Sequence, residues 1–132
     1  MEDVIYKVGA IILNEKKQLL VVRKPFKDRT EFILPGGKQE KGENDEETLI
    51  RELKEELGVS VKSFSFFGKF QGQAVFENIP LVMSLYEVEI DGQPSPQSEI
   101  KECLWIDRNY RCLVGAVLSK QVFPTLISKG WM

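Results

Sequence analysis

The sequence predicts an α+β fold in which a mixed β-sheet is sandwiched between α-helices. One long segment has the apolar spacing of an amphipathic helix. Segments rich in β-branched and aromatic residues precede and follow it, and a second helical segment lies near the end of the chain. This order of strands, helix, strands and helix indicates helices packed on a mixed sheet. The chain has 132 residues, and we predict one domain that covers residues 1–132.

The part before the long helix contains strands and a glycine turn. Apolar residues at 4–13, a polar turn at 14–17 and a second apolar run at 18–22 predict a β-hairpin. The polar segment 24–30 contains a proline and is expected to be a loop. A short apolar stretch then leads into Pro35-Gly36-Gly37, where glycine permits backbone paths that leave N–H and C=O groups open to a ligand.

The clearest helix spans residues 44–57. Asn44 is a favourable N-cap residue, and Glu47 three positions later completes a capping box. Gly58 is a fitting C-terminal stop. The apolar stripe that should face the core consists of Leu49, Ile50, Leu53 and Leu57.

The part after the helix returns to strands and ends in a helix. Strand-like segments are expected at 61–70, 73–77, 81–90 and 100–106, with a proline- and glycine-containing loop at 91–98. Residues 113–122 are expected to be helical, and Pro124 should break or restart that helix.

The composition excludes several classes of chemistry. The chain contains no histidine, which excludes Ser-His and Cys-His nucleophiles and histidine-based zinc sites. It contains 20 aspartates and glutamates, so carboxylates that hold a hard cation are the obvious alternative. The net charge of -2 gives no basic surplus for a long nucleic acid.

The expected location follows from what the chain lacks. No apolar run approaches the roughly 20 residues that a membrane-spanning helix needs. The N-terminus has no secretory signal pattern, and Cys103 and Cys112 are expected to be reduced thiols in small apolar gaps. We therefore expect a cytoplasmic protein that binds a small substrate, without a membrane or long nucleic acid as partner, and leave a homodimer open.

Three glutamates of the long helix share one face. Glu52, Glu55 and Glu56 are spaced by three and four residues, where like charges repel by about 0.2–0.5 kcal/mol per pair. The last turn of a helix also disfavours anions by roughly 0.3–1 kcal/mol each. A solvated charged face and a metal site are both open from this pattern. We expect that Glu56→Gln would stabilise the protein without metal by about 1 kcal/mol.

The segment from the glycine turn to the end of this helix resembles a known motif. Gly37, five residues, Glu43, seven residues and then Arg-Glu-Leu-Lys-Glu-Glu-Leu-Gly-Val at 51–59 are similar to the complete Nudix box, in its MutT-like branch. The preceding Leu34-Pro35-Gly36 also fits. The resemblance implies the Nudix fold and the hydrolysis of a phosphoanhydride bond with Mg²⁺ or Mn²⁺.

The resemblance also implies roles for individual residues. Glu55, Glu56 and the carbonyl group of Gly37 would bind metal, and Glu52 would be a metal ligand or the catalytic base. Glu43 and Arg51 would pair and hold the loop against the helix, which is a structural role.

Candidate site residues outside the box each have an ordinary structural role as the alternative. Glu99 stands where MutT-like relatives carry a glutamate that reaches the metals, so it is a metal-binding and catalytic candidate or else an exposed loop residue. The phosphate-binding candidates, each with ordinary surface charge as the alternative, are Arg23, Lys24 and Lys38. The aromatic candidates for substrate contact, with core or rim packing as the alternative, are Phe32, Phe26 and Phe76.

The resemblance implies a substrate class and leaves the substrate open. Small MutT-like enzymes split nucleoside triphosphates into a monophosphate and pyrophosphate, and we expect this reaction. No asparagine stands near Pro124, where relatives that read oxidised guanine have one. The alternatives are hydrolysis of a nucleotide sugar, a dinucleotide or an RNA 5′ end, and a Nudix module that binds nucleotides without catalysis.

Overall fold

The computed structural model describes residues 4–24, 30–73 and 79–132. Residues 25–29 of the predicted loop, most of the predicted strand at 73–77 and the stacking candidates Phe26 and Phe76 lie outside these residues. The strands are β1 (Ile5–Ile11), β2 (Leu19–Arg23), β3 (Gly36–Lys38), β4 (Ser60–Gln73), β5 (Pro80–Asp91) and β6 (Glu102–Ile106). The helices are α1 (Asp45–Leu57) and α2 (Phe123–Ser128), and a π-helical turn at Leu118–Val122 leads into α2.

Two sheets form the centre of the fold. The larger one is mixed and has the order β3-β1-β5-β4, in which β1 and β5 are parallel and the other pairs are antiparallel. The smaller one pairs β2 with β6 in antiparallel fashion. One apolar core lies on the α1 side of the sheets and the other on the α2 side. The predicted sandwich of a mixed sheet between helices is therefore confirmed.

The first two strands do not pair with each other along their length, so the predicted hairpin is wrong. The chain does reverse at the polar turn, where the N–H group of Asn14 donates to the carbonyl of Gln18 at 3.0 Å. However, β1 pairs with β3 and β5, whereas β2 pairs with β6. The side chains of β2 alternate between the two cores, with Leu19 in one and Leu20 in the other, so this strand serves both layers.

The predicted ends of α1 are confirmed. The side chain of Asn44 accepts the N–H of Glu47 at 2.8 Å, and the Glu47 carboxylate accepts the N–H of Asn44 at 3.1 Å. Gly58 closes the helix in the left-handed conformation, with φ of 69°. Leu49, Leu53 and Leu57 are buried as expected, but Ile50 is 46 % exposed and does not belong to the core-facing stripe.

The predicted helix at 113–122 begins too early. Residues 113–115 are extended, because Phe32 donates its N–H to Leu113 and accepts the N–H of Gly115 in a parallel bridge. The helical segment starts after these contacts and passes through the π-helical turn into α2. Pro124 lies in the first turn of α2, where its missing N–H costs no helical bond, so it restarts the helix as predicted.

Within the described residues, no helix is both long and apolar enough to cross a membrane. Cys103 and Cys112 are free and half-buried, and each packs at the margin of one of the two cores. Their predicted state as reduced thiols in apolar surroundings agrees with this placement.

Candidate active site

An arginine–glutamate pair fastens the loop before α1 to the helix. Arg51 donates from Nε and Nη2 to the two oxygens of Glu43, at 2.6 and 2.9 Å. The same guanidinium donates to the carbonyl of Lys38 at 3.1 Å, so it also holds the end of β3. The arginine holds the pKa of Glu43 down at about 2, with help from the N–H of Glu40. The two side chains make the contact that the resemblance implies, and their structural role stays a prediction.

Glu52 lies directly against the glycine turn. A Cβ atom at Gly37 would come within 2.6 Å of the carboxyl carbon of Glu52, so only glycine leaves room for this carboxylate. Arg51 donates to the carboxylate at 2.8 Å from its other side. Burial raises the pKa of Glu52, and Arg51 opposes part of that rise.

Glu56 is the buried carboxylate of the site, with 4 % of the residue exposed. Its Oε1 accepts the N–H of Gly36 at 2.9 Å. Its Oε2 faces the ammonium of Lys24 at 2.9 Å, and no other group of the described residues hydrogen-bonds to it. Burial raises the pKa of Glu56 in spite of this ammonium group. The glycine turn and the end of β2 thus meet at a single side chain of α1.

Lys24 comes to this carboxylate from the other sheet. Burial alone would lower the pKa of its ammonium, but Glu56, Glu52 and Glu99 together place it above its usual value. Lys24 therefore keeps its positive charge among these carboxylates. Sequence reasoning selected it for phosphate binding and missed its partner, because nothing local in the sequence connects β2 with the end of α1.

Glu99 is carried to the same region by a docked loop. Ser95 and Gln97 donate their N–H groups to the last carbonyls of α1, those of Leu57 and Glu56, at 3.1 and 2.9 Å. Lys101 donates to the carbonyl of Arg23 at 2.9 Å, which ties the loop to the end of β2. Glu99 is exposed between these anchors, and its charge reaches Lys24. The structure thus brings it near the box glutamates without contact between them in the described residues.

The expected electrostatic conflict on α1 is compensated in the folded chain. Arg51 lies 2.8 Å from Glu52 and 3.4 Å from Glu55, and Lys24 lies 2.9 Å from Glu56. The expectation that Glu56→Gln would stabilise the protein does not include this lysine. Because the glutamate is the counter-ion of a largely buried ammonium group, we now predict that the substitution destabilises the protein.

The donor set fits a divalent cation although the carboxylates do not converge on one point. Among residues 4–24, 30–73 and 79–132, no three acidic or thiol side chains form a preformed cluster. Their oxygens are turned to Arg51 and Lys24 instead. Two observations support the fit: the buried Oε2 of Glu56 has only a cation, the ammonium of Lys24, as its partner among the described residues, and Glu52 fills the space where Gly37 lacks a side chain. Carboxylate and carbonyl oxygens are the ligands that Mg²⁺ prefers.

Two other candidate residues have structural partners of their own. Arg23 donates to Glu102 on β6 at 3.0 and 3.2 Å, which ties it to the neighbouring strand. Phe32 is 7 % exposed in the core on the α2 side, so its assignment to substrate contact is wrong and its role is packing. Lys38 is exposed at the end of β3, next to the glycine turn.

An apolar pocket opens beside the carboxylates on the α2 side of the larger sheet. Gly36, Gly37 and Lys24 are among its lining residues, and each of them lies against Glu56 or Glu52 of the carboxylate site. The other walls contain the strand residues Lys7, Leu81 and Met83 and the helical residues Val117 and Leu118. Sequence reasoning missed these walls, since apolar residues in strands and helices look alike whether they line a pocket or fill a core.

Comparison with known proteins agrees with this geometry. An 8-oxo-dGTP diphosphatase from Escherichia coli (strain K12) is 35 % identical over 88 residues, which cover 64 % of this chain and 66 % of that protein. An ADP-ribose pyrophosphatase from Methanocaldococcus jannaschii is 34 % identical over 105 residues, covering 77 % of this chain and 61 % of that protein. The chain thus spans less than two thirds of the length of either relative.

A solved structure extends the likeness over the whole chain. A structure from work on MutT of Aliivibrio salmonicida and Vibrio cholerae superposes with a TM-score of 0.75 at 27 % identity, covering 96 % of this chain and 99 % of that one. Residues 5–110 match the profile of the NUDIX domain, and this stretch contains the glycine turn, α1 and Glu99. The chain belongs to the NUDIX domain family.

Proposed function

We propose that this protein is a Mg²⁺- or Mn²⁺-dependent hydrolase that cleaves a phosphoanhydride bond in a nucleotide. The observation that carries the proposal is the junction of two features. A buried carboxylate, Glu56, and the Glu52–Gly37 contact lie at one end of an apolar pocket that Lys24 also lines. Such a pocket suits a nucleoside, and its polar end suits the phosphates.

The residues divide into four tasks. Glu52, Glu55, Glu56, the carbonyl of Gly37 and Glu99 are those we propose to hold the cation. When bound, the cation neutralises the diphosphate and lowers the pKa of a coordinated water. Glu52 is proposed to accept the proton of the attacking water at its carboxylate. The water oxygen then bonds to phosphorus, and the bridging P–O bond breaks. Lys24 and Lys38 are proposed to bind the phosphates, and Arg51 with Glu43 keeps Glu52 beside the glycine turn.

The substrate we favour is a nucleoside triphosphate, which would yield a monophosphate and pyrophosphate. Apolar side chains on the α2 side line the pocket, a character that suits the stacking of a base. The names of the relatives support this class and also keep ADP-ribose among the candidates. A cytoplasmic location remains part of the proposal, supported by the two free cysteines, which suit a reducing compartment.

A substrate panel tests the proposal. The four common nucleoside triphosphates, 8-oxo-dGTP, ADP-ribose and an RNA with a 5′-triphosphate would each be incubated with Mg²⁺, and phosphate, pyrophosphate and the nucleoside monophosphate would be measured separately. We expect pyrophosphate from at least one triphosphate, no turnover in EDTA, and recovery with Mg²⁺.

Two variants of the same helix provide the control. Glu56→Gln should be inactive, whereas Glu46→Gln, an exposed change in the first turn of α1, should keep wild-type activity. Full activity in EDTA would remove the metal from the proposal. Saturable nucleotide binding with no product from any member of the panel would instead indicate a binding module.

A further inference from the structure

Lys24 and Glu56 join the two sheets at the carboxylate site. Their contact is 2.9 Å between Nζ and Oε2, and the side chains are 21 % and 6 % exposed. Lys24 follows β2 in the smaller sheet, and Glu56 lies in α1, which packs on the larger one. Both charges are thus largely shielded from water.

The oxygen that faces the lysine is the one that remains for a cation. Oε1 of Glu56 is engaged by the N–H of Gly36 at 2.9 Å, which fixes the orientation of the carboxylate. Oε2 has the ammonium of Lys24 as its close partner, and no other group of the described residues hydrogen-bonds to it. A divalent cation at Oε2 would put a second positive charge on the same oxygen, and like charges repel strongly in a half-buried site.

We infer that Lys24 is the resident counter-ion of this site: it holds the place of the divalent cation at Glu56 and leaves when the cation binds. This inference rests on the proposed function for the existence of the cation site. Lys24 then has two alternative positions, one at Glu56 and one in the pocket. Cation binding at Glu56 is therefore coupled to substrate binding in the pocket.

The pocket supplies the second position. Lys24 already lines its polar end beside Gly36 and Gly37. A lysine is a compact charge on a flexible stem, so it can turn from a carboxylate to a phosphate oxygen without moving the backbone. Cation binding therefore releases a positive charge at the place where the substrate phosphates are proposed to lie. Cation and substrate should bind cooperatively through this one side chain.

The first test uses the wild-type protein and Mg²⁺ alone. After EDTA treatment and dialysis, the ammonium signal of Lys24 in heteronuclear NMR spectra should be visible, because its partner shields it from exchange. Its assignment comes from its absence in Lys24→Met. The signal should disappear as Mg²⁺ saturates the site. A signal that keeps its position and exchange rate at saturation overturns the inference and leaves the proposed function intact.

The second test measures Mg²⁺ affinity by calorimetry without nucleotide. Lys24→Met should bind Mg²⁺ about tenfold more tightly than the wild type, since the competing charge is gone. Arg23→Met is the matched control, because it removes the neighbouring positive charge, which pairs with Glu102 and not with Glu56. Its affinity should change less than about twofold. Equal gains in both variants would show a general field effect and reject the inference.

The two proposals fail in different ways. No saturable Mg²⁺ binding by the wild type or by Lys24→Met removes the cation site and the inference with it. Normal Mg²⁺ binding with equal affinity in the wild type and Lys24→Met rejects only the inference.

Discussion

The guanidinium of Arg51 donates hydrogen bonds to both oxygens of Glu43, from Nε to Oε2 at 2.6 Å and from Nη2 to Oε1 at 2.9 Å. This is the strongest form of an arginine–carboxylate contact, since two parallel N–H groups match two acceptors. It connects the loop after β3 to the middle of α1, one residue before Glu52. The position of Glu52 beside Gly37 therefore depends on a contact made outside the pocket.

The Glu43 contact predicts a pH dependence of stability. The pKa of Glu43 is lowered from its usual 4.5 to about 2, so the folded state favours its charged form. The stabilisation is complete above about pH 4.5 and is lost as the pH falls toward about 2. Urea unfolding should show the wild type more stable than Glu43→Gln at neutral pH, with the difference closing over this interval. In an Arg51→Met background the Glu43→Gln change should cost much less at neutral pH. A difference that persists at pH 2 contradicts the pairing.

Glu56→Gln should destabilise the metal-free protein. The change leaves the largely buried ammonium of Lys24 without its counter-ion, and breaking a buried ion pair costs about 3–5 kcal/mol when both partners are inaccessible. Lys24 retains 21 % exposure, so we expect the lower end of this range. Thermal unfolding in EDTA checks the sign. Replacing both partners, as in Lys24→Met with Glu56→Gln, should recover part of the loss, and an unchanged melting temperature in the single variant would contradict the ion pair.

Gly37→Ala should reduce activity more than it reduces stability. The new Cβ would lie 2.6 Å from the carboxyl carbon of Glu52 and push this side chain away. A displacement of this size at a reacting group can cost on the order of 100-fold in rate. Gly68→Ala is the control, because its Cβ would meet only the ring of Phe70 at 3.4 Å. Activity and urea midpoints should be measured together, and equal activity losses in both variants would argue against a local effect.

Glu52→Gln should lower kcat by roughly 10²–10⁴-fold with little change in nucleotide binding, because proton transfer belongs to the transition state. The amide can still accept a hydrogen bond from Arg51, so the fold should be kept. Steady-state kinetics and equilibrium binding of a non-hydrolysable analogue separate the two effects. If binding weakens and kcat is preserved, Glu99 becomes the better candidate for the base.

Tyr86→Phe should loosen the first turn of α1. The hydroxyl of Tyr86 donates to Asp45 at 2.6 Å, and burial together with Asp45 raises the pKa of Tyr86 to about 12. Loss of this bond should cost about 1 kcal/mol. Because the raised pKa favours the neutral phenol in the folded state, this stabilisation is present below about pH 10 and is lost as the pH rises toward about 12. Tyr6→Phe, at a side chain 65 % exposed, should leave the unfolding midpoint unchanged. A similar loss in both variants would disprove a specific role for the Asp45 bond.

The features that could be predicted from sequence are local or carried by a motif. Asn44, Glu47 and Gly58 lie within one or two turns of the groups they cap, so spacing alone defines their contacts. The pairing of Arg51 with Glu43 follows from the resemblance of the box. These elements place the glutamate face of α1 against the glycine turn without knowledge of the rest of the chain.

The features that could not be predicted depend on contacts between distant segments. Lys24 contacts Glu56 because β2 pairs with β6 and not with β1. The sequence pattern of a hairpin predicts the turn but not which strands pair beyond it. A helix is predicted from Leu113, but residues 113–115 are extended because they pair with Phe32. In both cases the outcome depends on pairing with a distant segment, which the local sequence pattern does not contain.

The loop between β5 and β6 is hydrogen-bonded to the end of α1 and to the end of β2. These bonds limit how the length of the loop can vary. Its anchors at Ser95, Gln97 and Lys101 set how far Glu99 stands from Lys24, so this stretch acts as a spacer of fixed length. A residue inserted between the anchors would shift Glu99 along the loop or detach Lys101 from β2. The exposed turn at 108–109, by contrast, closes on Asp107 alone and has no tie to the glutamates. Insertions and fusion tags should be tolerated at that turn and rejected between Ser95 and Lys101.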